Sequence, residues 1–196
     1  MNRRSLRILY AALLTLALCF GFSQNVLHQP IHAQEHKPVV ALDPSVKFEY
    51  GKPIMVAHVV DGDTLQLING EYVRYVGIDT PEEYDPRKPV QCYALEAAEA
   101  NRQLVEGKQV VIQKDISTKD KYNRWLGFIY LPNNTFVNEV LVREGFAFAY
   151  YYRPDISKAK EFKTAEQQAQ QDGLGIWSTC TVYKTSSGRE QTNDLK

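Results

Sequence analysis

A short stretch of this chain carries charged residues whose spacing lets strand pairing bring them together. Asp61 and Asp63 flank Gly62, Arg74 lies further along, and Asp79-Thr80-Pro81-Glu82 closes the stretch. A carboxylate at one turn and another at a later strand end converge when the intervening strands pair. Two such carboxylates, with a backbone carbonyl and waters, suit a hard cation such as Ca²⁺. An arginine on the same edge presents a rigid fork that can hold a phosphate through two parallel hydrogen bonds. Glu82, just past Asp79, is placed to orient or deprotonate a water. Singly, each has an ordinary structural explanation. Asp-Gly-Asp is turn chemistry, Thr80-Pro81 with Glu82 is the start of a helix or a loop closure, and Arg124 after Asp120-Lys121-Tyr122-Asn123 is a solvated charge beside a turn.

The elements that must position these groups follow from hydrophobic period and turn residues. Ile54 to Val60 and Thr64 to Ile68 read as strands around Asp61-Gly62-Asp63; Asn69-Gly70 signals a hairpin into a third strand, Tyr72 to Ile78. Ala94 to Glu106 has a helical pattern stopped by Gly107. Gln109 to Lys114 and Leu126 to Leu131 are strand-like, with Pro132-Asn133-Asn134 turning the chain after them. Val137 to Glu144 is a short helix, and Ile156 to Gln171 a last one ended by Gly173. A three-strand meander, a helix, two strands and two further helices predict an α+β fold: a five-stranded OB-fold β-barrel decorated with about three α-helices.

The ends read differently. Arg3, Arg4 and Arg7 precede an apolar run from Ile8 to Phe22, with Gly21 and Ser23 as small residues before a cleavage point. Residues 1–23 therefore read as a signal peptide, with an uncleaved membrane anchor or lipid attachment at Cys19 as alternatives. Residues 24–53 carry Pro30, Pro38 and Pro44 and no periodicity, which predicts a flexible linker; His28, His32 and His36 stand four apart but have Pro30 among them, which favours linker over a helical metal site. The ordered domain is expected over 54–180, and a polar, disordered tail over 181–196. The chain has 23 basic and 23 acidic residues, and loss of Met1–Ser23 removes three arginines, leaving 20 against 23. A slightly acidic protein is a poor candidate for non-specific coating of DNA, which needs a broad basic surface. Cleavage also leaves Cys92 and Cys180, a natural disulfide pair outside the cytoplasm or else two separate thiols.

Val59-Val60-Asp61-Gly62-Asp63-Thr64 and Val73-Arg74-Tyr75-Val76-Gly77-Ile78-Asp79-Thr80-Pro81-Glu82 resemble two signature segments of the staphylococcal nuclease family. Asp120-Lys121-Tyr122-Asn123-Arg124 resembles a third. Val137 to Gly145 and Gly175-Ile176-Trp177 extend the likeness, which runs from about Ile54 to Ser178. The resemblance implies an OB-fold and a sugar-non-specific, Ca²⁺-dependent nuclease that cuts between phosphorus and the 5′ oxygen, leaving 3′-phosphate ends.

It implies roles as well. Asp63, Asp79 and the Thr80 carbonyl would bind Ca²⁺. Arg74 and Arg124 would grip the scissile phosphate, and Glu82 would be the general base or the residue ordering the attacking water. Tyr150 and Tyr152 match nucleotide-contacting tyrosines, with core packing of one of them as the alternative, and Lys121 and Tyr122 match residues near the terminal phosphate. Lys88, in the Glu83 to Gln91 loop, is a weaker candidate for phosphate contact. Asn123 stands where glycine is common, but asparagine tolerates the left-handed turn required there. A Cys92–Cys180 bridge would tie the first long helix to the C-terminal end of the domain. Single-stranded DNA, double-stranded DNA and RNA are the implied partners, with no stable protein partner, a monomeric state, and a secreted or cell-envelope location. The alternative is a catalytically inactive nuclease-like module that binds nucleic acid or protein; such modules typically lose the acidic and arginine residues retained here.

Overall fold

The computed structural model describes residues 40–84 and 89–195. The signal segment, residues 24–39 of the expected linker, and Lys88 lie outside the described residues.

Alternating burial drives the meander. β1 (Pro53–Asp61), β2 (Thr64–Leu67) and β3 (Tyr72–Tyr75) bury Val56, Val59, Leu65, Leu67, Val73 and Tyr75 on one side. β5 (Gln109–Gln113) and β6 (Trp125–Tyr130) complete a closed barrel in the order β1-β2-β3-β6-β5, with β3 and β6 parallel and the other neighbours antiparallel. One long strand serves two partners: the start of β1 pairs with β5, and its end, bent by irregularities near Ala57 and Val60, pairs with β2. Closure leaves no open edge in this sheet.

Four helices decorate the barrel among the described residues: α1 (Ala94–Val105), α2 (Val137–Arg143), α3 (Ala159–Asp172) and the single turn α4 (Ile176–Thr179). Val105, Val137, Leu141, Val142, Phe162 and Ala165 join the barrel's core. Buried Asn138 pins α2 to the barrel, accepting from the Ile129 N–H at 2.9 Å and donating to the Val76 carbonyl at 2.9 Å. Both backbone groups would otherwise be orphaned in an apolar interior.

The expected third strand, Tyr72 to Ile78, is two strands. The chain turns at Gly77 (φ +80°), where a Cβ would sit 2.2 Å from the Phe162 ring, and continues as β4 (Ile78–Asp79), paired with β7 (Phe148–Ala149). The last long helix starts at Ala159 rather than Ile156. Buried Asp155 accepts the N–H groups of Ile116 and Ser117 at 2.9 and 2.7 Å, and its own N–H donates to the Tyr152 carbonyl at 3.0 Å, closing a turn before the helix.

Both expected boundaries of the ordered domain move outward. Within the segment assigned to the linker, Phe48 and Tyr50 pack edge-on against Trp125, with ring centroids 4.9 and 5.7 Å away. The Tyr50 hydroxyl donates to the Thr118 and Leu126 carbonyls, both at 2.9 Å. At the other end, the stretch expected to be a disordered tail forms a hairpin, β8 (Val182–Lys184) and β9 (Glu190–Thr192). Cys92 and Cys180 are joined by a disulfide at the base of this hairpin. Buried Thr192 donates to the Cys92 carbonyl at 2.8 Å, and the Cys92 N–H donates to the Asn193 carbonyl at 2.7 Å. Cross-link and backbone pairing together order a sequence with little apolar content of its own.

Candidate active site

Barrel register does much of the assembly. Thr64 of β2 lies opposite Arg74 of β3, and Val73 opposite Trp125 of β6. Arg74 therefore sits beside the Asp61-Gly62-Asp63 turn, and Arg124, one residue before β6, lies alongside the strand carrying Arg74. The turn meets the Asp79-Thr80 segment at Gly62, where a Cβ would lie 2.7 Å from the Thr80 side chain. Glycine is thus required there by the close approach of the two carboxylate-bearing segments. A hydrogen-bonded chain supports the turn from inside: Tyr75 Oη donates to Asn101 Oδ1 at 2.7 Å, and Asn101 Nδ2 donates to the Asp61 carbonyl at 3.0 Å.

Asp61, Asp63, Arg74, Asp79, Glu82 and Arg124 all line one cavity of about 510 Å³, joined by Thr80 and Tyr122. Asp63 is 1% exposed and Asp79 3%. Asp63 Oδ2 accepts the Thr80 N–H at 2.9 Å, and its Oδ1 meets Arg74 Nη1. Arg74 Nη2 donates to Asp79 Oδ1 at 2.8 Å. One guanidinium thus bridges the two carboxylates that the sequence assigns to a cation. Burial raises the Asp61 carboxyl above its ordinary value, against the opposing pull of Arg74 and Arg124.

Arg124 is aimed by its own loop. Asn123 adopts the left-handed conformation (φ +66°). Asp120 accepts the Arg124 backbone N–H at 3.0 Å and its Nε at 2.8 Å. Arg124 Nη1 reaches Thr64 Oγ1 at 3.4 Å, which leaves the outer part of the fork directed at the cavity. Glu82 is held through its backbone: its N–H donates to Gln91 Oε1 at 2.7 Å, and its carbonyl accepts the Gln91 N–H at 3.0 Å. The Glu82 carboxylate accepts the Tyr84 N–H at 3.1 Å.

A neighbouring cavity of about 500 Å³ shares Arg74 and Arg124 and is lined by Lys121, Tyr122, Tyr150 and Tyr152. Tyr122 and Tyr152 are 68% and 71% exposed, so their faces are open to a flat partner. Lys121 Nζ lies 4.9 Å from the Tyr122 ring centroid, and the Arg124 guanidinium 5.6 Å from it.

Arg189 was not foreseen from the sequence. It precedes β9 and donates through both Nε and Nη2 to the Asp79 carboxylate, the Nη2···Oδ1 distance being 2.6 Å. With Gln191 it lines the same cavity. The available signal was Gly188 (φ +82°) in Ser186-Ser187-Gly188, which turns the chain between two short polar strands. Nothing in local composition linked that turn to Asp79.

The donor set fits a hard cation. Among the described residues no three His, Cys, Asp or Glu side chains gather as a ready-made cluster, but a site of this kind draws on few protein oxygens and completes its shell with water. Asp63 and Asp79 are buried carboxylates held against positive charge, and here guanidinium groups supply that charge.

The hairpin also encloses Glu166 of α3, which accepts the Ala149 N–H at 2.8 Å. Burial pushes this carboxyl up to about 7, with nearby Glu190 adding to the rise and the Ala149 hydrogen bond opposing it. A carboxyl raised on folding contributes stability below its unfolded value of 4.5, and that contribution is lost as pH rises through about 7. Thermal melts between these limits should therefore show the wild type losing stability as pH rises, and Glu166→Gln losing less. Parallel pH profiles for the two proteins would disprove this.

Fold and pocket define a class: an OB-fold barrel with buried carboxylates and, beside the added Arg189, two arginines at one end. The Staphylococcal nuclease homologue family model matches residues 72–179, more than half the chain. The chain is 36% identical over 140 residues to endonuclease YncB of Bacillus subtilis (strain 168), covering 69% of this chain and 65% of that protein. It is 36% identical over 126 residues to the thermonuclease of Staphylococcus hyicus, covering 63% of this chain and 74% of that protein. Against the thermonuclease of Staphylococcus intermedius it is 35% identical over 130 residues, covering 65% and 77%. The chain belongs to the staphylococcal nuclease family.

Proposed function

We propose that this protein is an exported, Ca²⁺-dependent nuclease that hydrolyses the phosphodiester bonds of DNA and RNA without sugar preference and leaves 3′-phosphate ends. The observation that carries the reading is the convergence of Asp63, Asp79, Glu82, Arg74 and Arg124 on one cavity. An inactive binding module has no need of buried carboxylates and arginines held in register. The nuclease names of the relatives support the same reading. The basic residues and apolar run within residues 1–23 support export, as does a disulfide, which persists in oxidising compartments.

On this reading Arg74 and Arg124 hold the non-bridging oxygens of the scissile phosphate and stabilise the negative charge that builds there. Glu82 orients a water, accepts its proton and directs the resulting hydroxide at phosphorus, whose bond to the 5′ oxygen breaks as that oxygen leaves and takes up a proton from solvent. Asp63, Asp79 and the Thr80 carbonyl hold Ca²⁺, which when bound supplies Lewis-acid stabilisation of the same phosphate. Tyr122, Tyr150 and Tyr152 stack on bases, and Lys121 neutralises a flanking phosphate. Stacking accepts any base, which accounts for the absence of sequence preference.

The test is degradation of single-stranded DNA with Ca²⁺ and with chelator, wild type beside Glu82→Gln. Cleavage that requires Ca²⁺ and falls by roughly 10² or more in the variant is the expected result. A folded protein that binds DNA and never cuts it would return the assignment to the binding module.

A further inference from the structure

Arg189 presents a problem for the cation site. Asp79 must give its oxygens to Ca²⁺, yet Oδ1 accepts from both Arg74 and Arg189, and Oδ2 meets Arg189 Nε. Arg74 has a second carboxylate partner in Asp63, whereas among the described residues the Arg189 guanidinium hydrogen-bonds Asp79 alone. A two-pronged guanidinium–carboxylate pair with a buried acceptor is among the stronger polar contacts a protein makes.

The contact is not an incidental surface encounter. The hairpin that delivers Arg189 is fixed at its base by the Cys92–Cys180 disulfide, by Thr192 Oγ1 donating to the Cys92 carbonyl at 2.8 Å, and by the Leu195 N–H donating to the Val90 carbonyl at 2.8 Å. The Arg189 guanidinium also lies 5.7 Å from the Tyr150 ring centroid. A distant part of the chain is thus built to bring a positive charge onto one of the two carboxylates expected to hold the cation.

We propose that Arg189 is an internal counter-cation that competes with Ca²⁺ for Asp79, so that the C-terminal hairpin sets the affinity of the cation site. This rests on the Ca²⁺ reading above. When Ca²⁺ is scarce, Arg189 satisfies Asp79 and the site is blocked. When Ca²⁺ binds, Arg189 is displaced into the cavity it already lines, beside the arginines that face the phosphate. Measured affinity is the intrinsic affinity multiplied by the fraction of molecules in which the plug is unseated.

Calorimetric titration of Ca²⁺ into the full chain, without nucleic acid, tests this. Arg189→Gln should bind Ca²⁺ about tenfold more tightly than wild type, the scale of losing one charge-assisted contact. Lys184→Gln is the control: it removes the same charge from the same hairpin, at a side chain 70% exposed that pairs with Glu190 and not with Asp79. Its affinity should stay within about twofold of wild type, as expected for an exposed pair. Equal affinities for wild type and Arg189→Gln overturn the plug and leave the nuclease reading standing. Equal gains in both variants also overturn it, because net charge alone would then account for the effect. Failure of all three proteins to bind Ca²⁺ overturns the plug and the Ca²⁺ requirement together.

Discussion

Replacing Arg124 with alanine should lower cleavage of single-stranded DNA by about 10²–10³ at saturating Ca²⁺, the typical loss for one donor that stabilises transition-state charge. Folding stability should change by less than about 1 kcal/mol, because its ion pair with Asp120 is part-exposed and such pairs contribute little. Arg74→Gln should cost a similar factor in rate but differ in stability. It leaves Asp63, 1% exposed, without its guanidinium. Removing one partner of a buried pair typically costs about 3–5 kcal/mol; Arg189 keeps Asp79 partnered and the Thr80 N–H remains on Asp63, so a loss of about 3 kcal/mol is expected. Added Ca²⁺ should recover most of that loss in Arg74→Gln and none of the rate. Urea denaturation with and without Ca²⁺, beside single-turnover cleavage, separates the two arginines. Equal stability losses in both variants would mean that Arg74 is not the counter-charge of the carboxylate pair.

This asymmetry shows why part of the site was legible in the sequence and part was not. Asp63 and Arg74 fall at turn and strand positions of the meander, so their convergence could be reasoned from period and turn residues, whereas Asp79 lies past the turn at Gly77 on β4, which pairs with β7. Arg124 depends on a turn with Asn123 at positive φ, for which asparagine is a recognisable choice. The division of the third strand was harder to see, since Val76 and Ile78 both read as strand residues. The break comes from Gly77 meeting the Phe162 ring, a contact made across 85 positions of sequence. Arg189 lay furthest from reach. Its hairpin has little apolar pattern and is ordered by the Cys92–Cys180 bridge, an expectation from the sequence, and by backbone pairing to residues 90–92, which leaves no local trace. Phe48 and Tyr50 were hidden for the same reason: their order comes from Trp125, not from neighbours in sequence.

The disulfide is therefore the feature whose removal should reach furthest into stability. It links positions 88 residues apart, and the segment it closes contains α1, β5, β6, α2, β7, α3 and α4. Closing so long a loop restricts the unfolded chain strongly. Loop entropy puts the ceiling at about 4–5 kcal/mol, and measured bridges commonly give about 2–4 kcal/mol. Cys92→Ala/Cys180→Ala should therefore lower the stability of the oxidised protein by about 2–4 kcal/mol in urea denaturation. Its m-value should rise as well, since an uncrosslinked unfolded chain exposes more surface. The hairpin would keep its hydrogen bonds to Cys92 and Val90 but lose its covalent anchor, so its amides should exchange with solvent well before those of the barrel strands. A stability loss below about 1 kcal/mol with unchanged exchange in residues 182–192 would show that backbone pairing alone seats the hairpin. The expected pattern, early exchange there and a weaker whole, would instead make the cross-link the element that keeps Arg189 against Asp79.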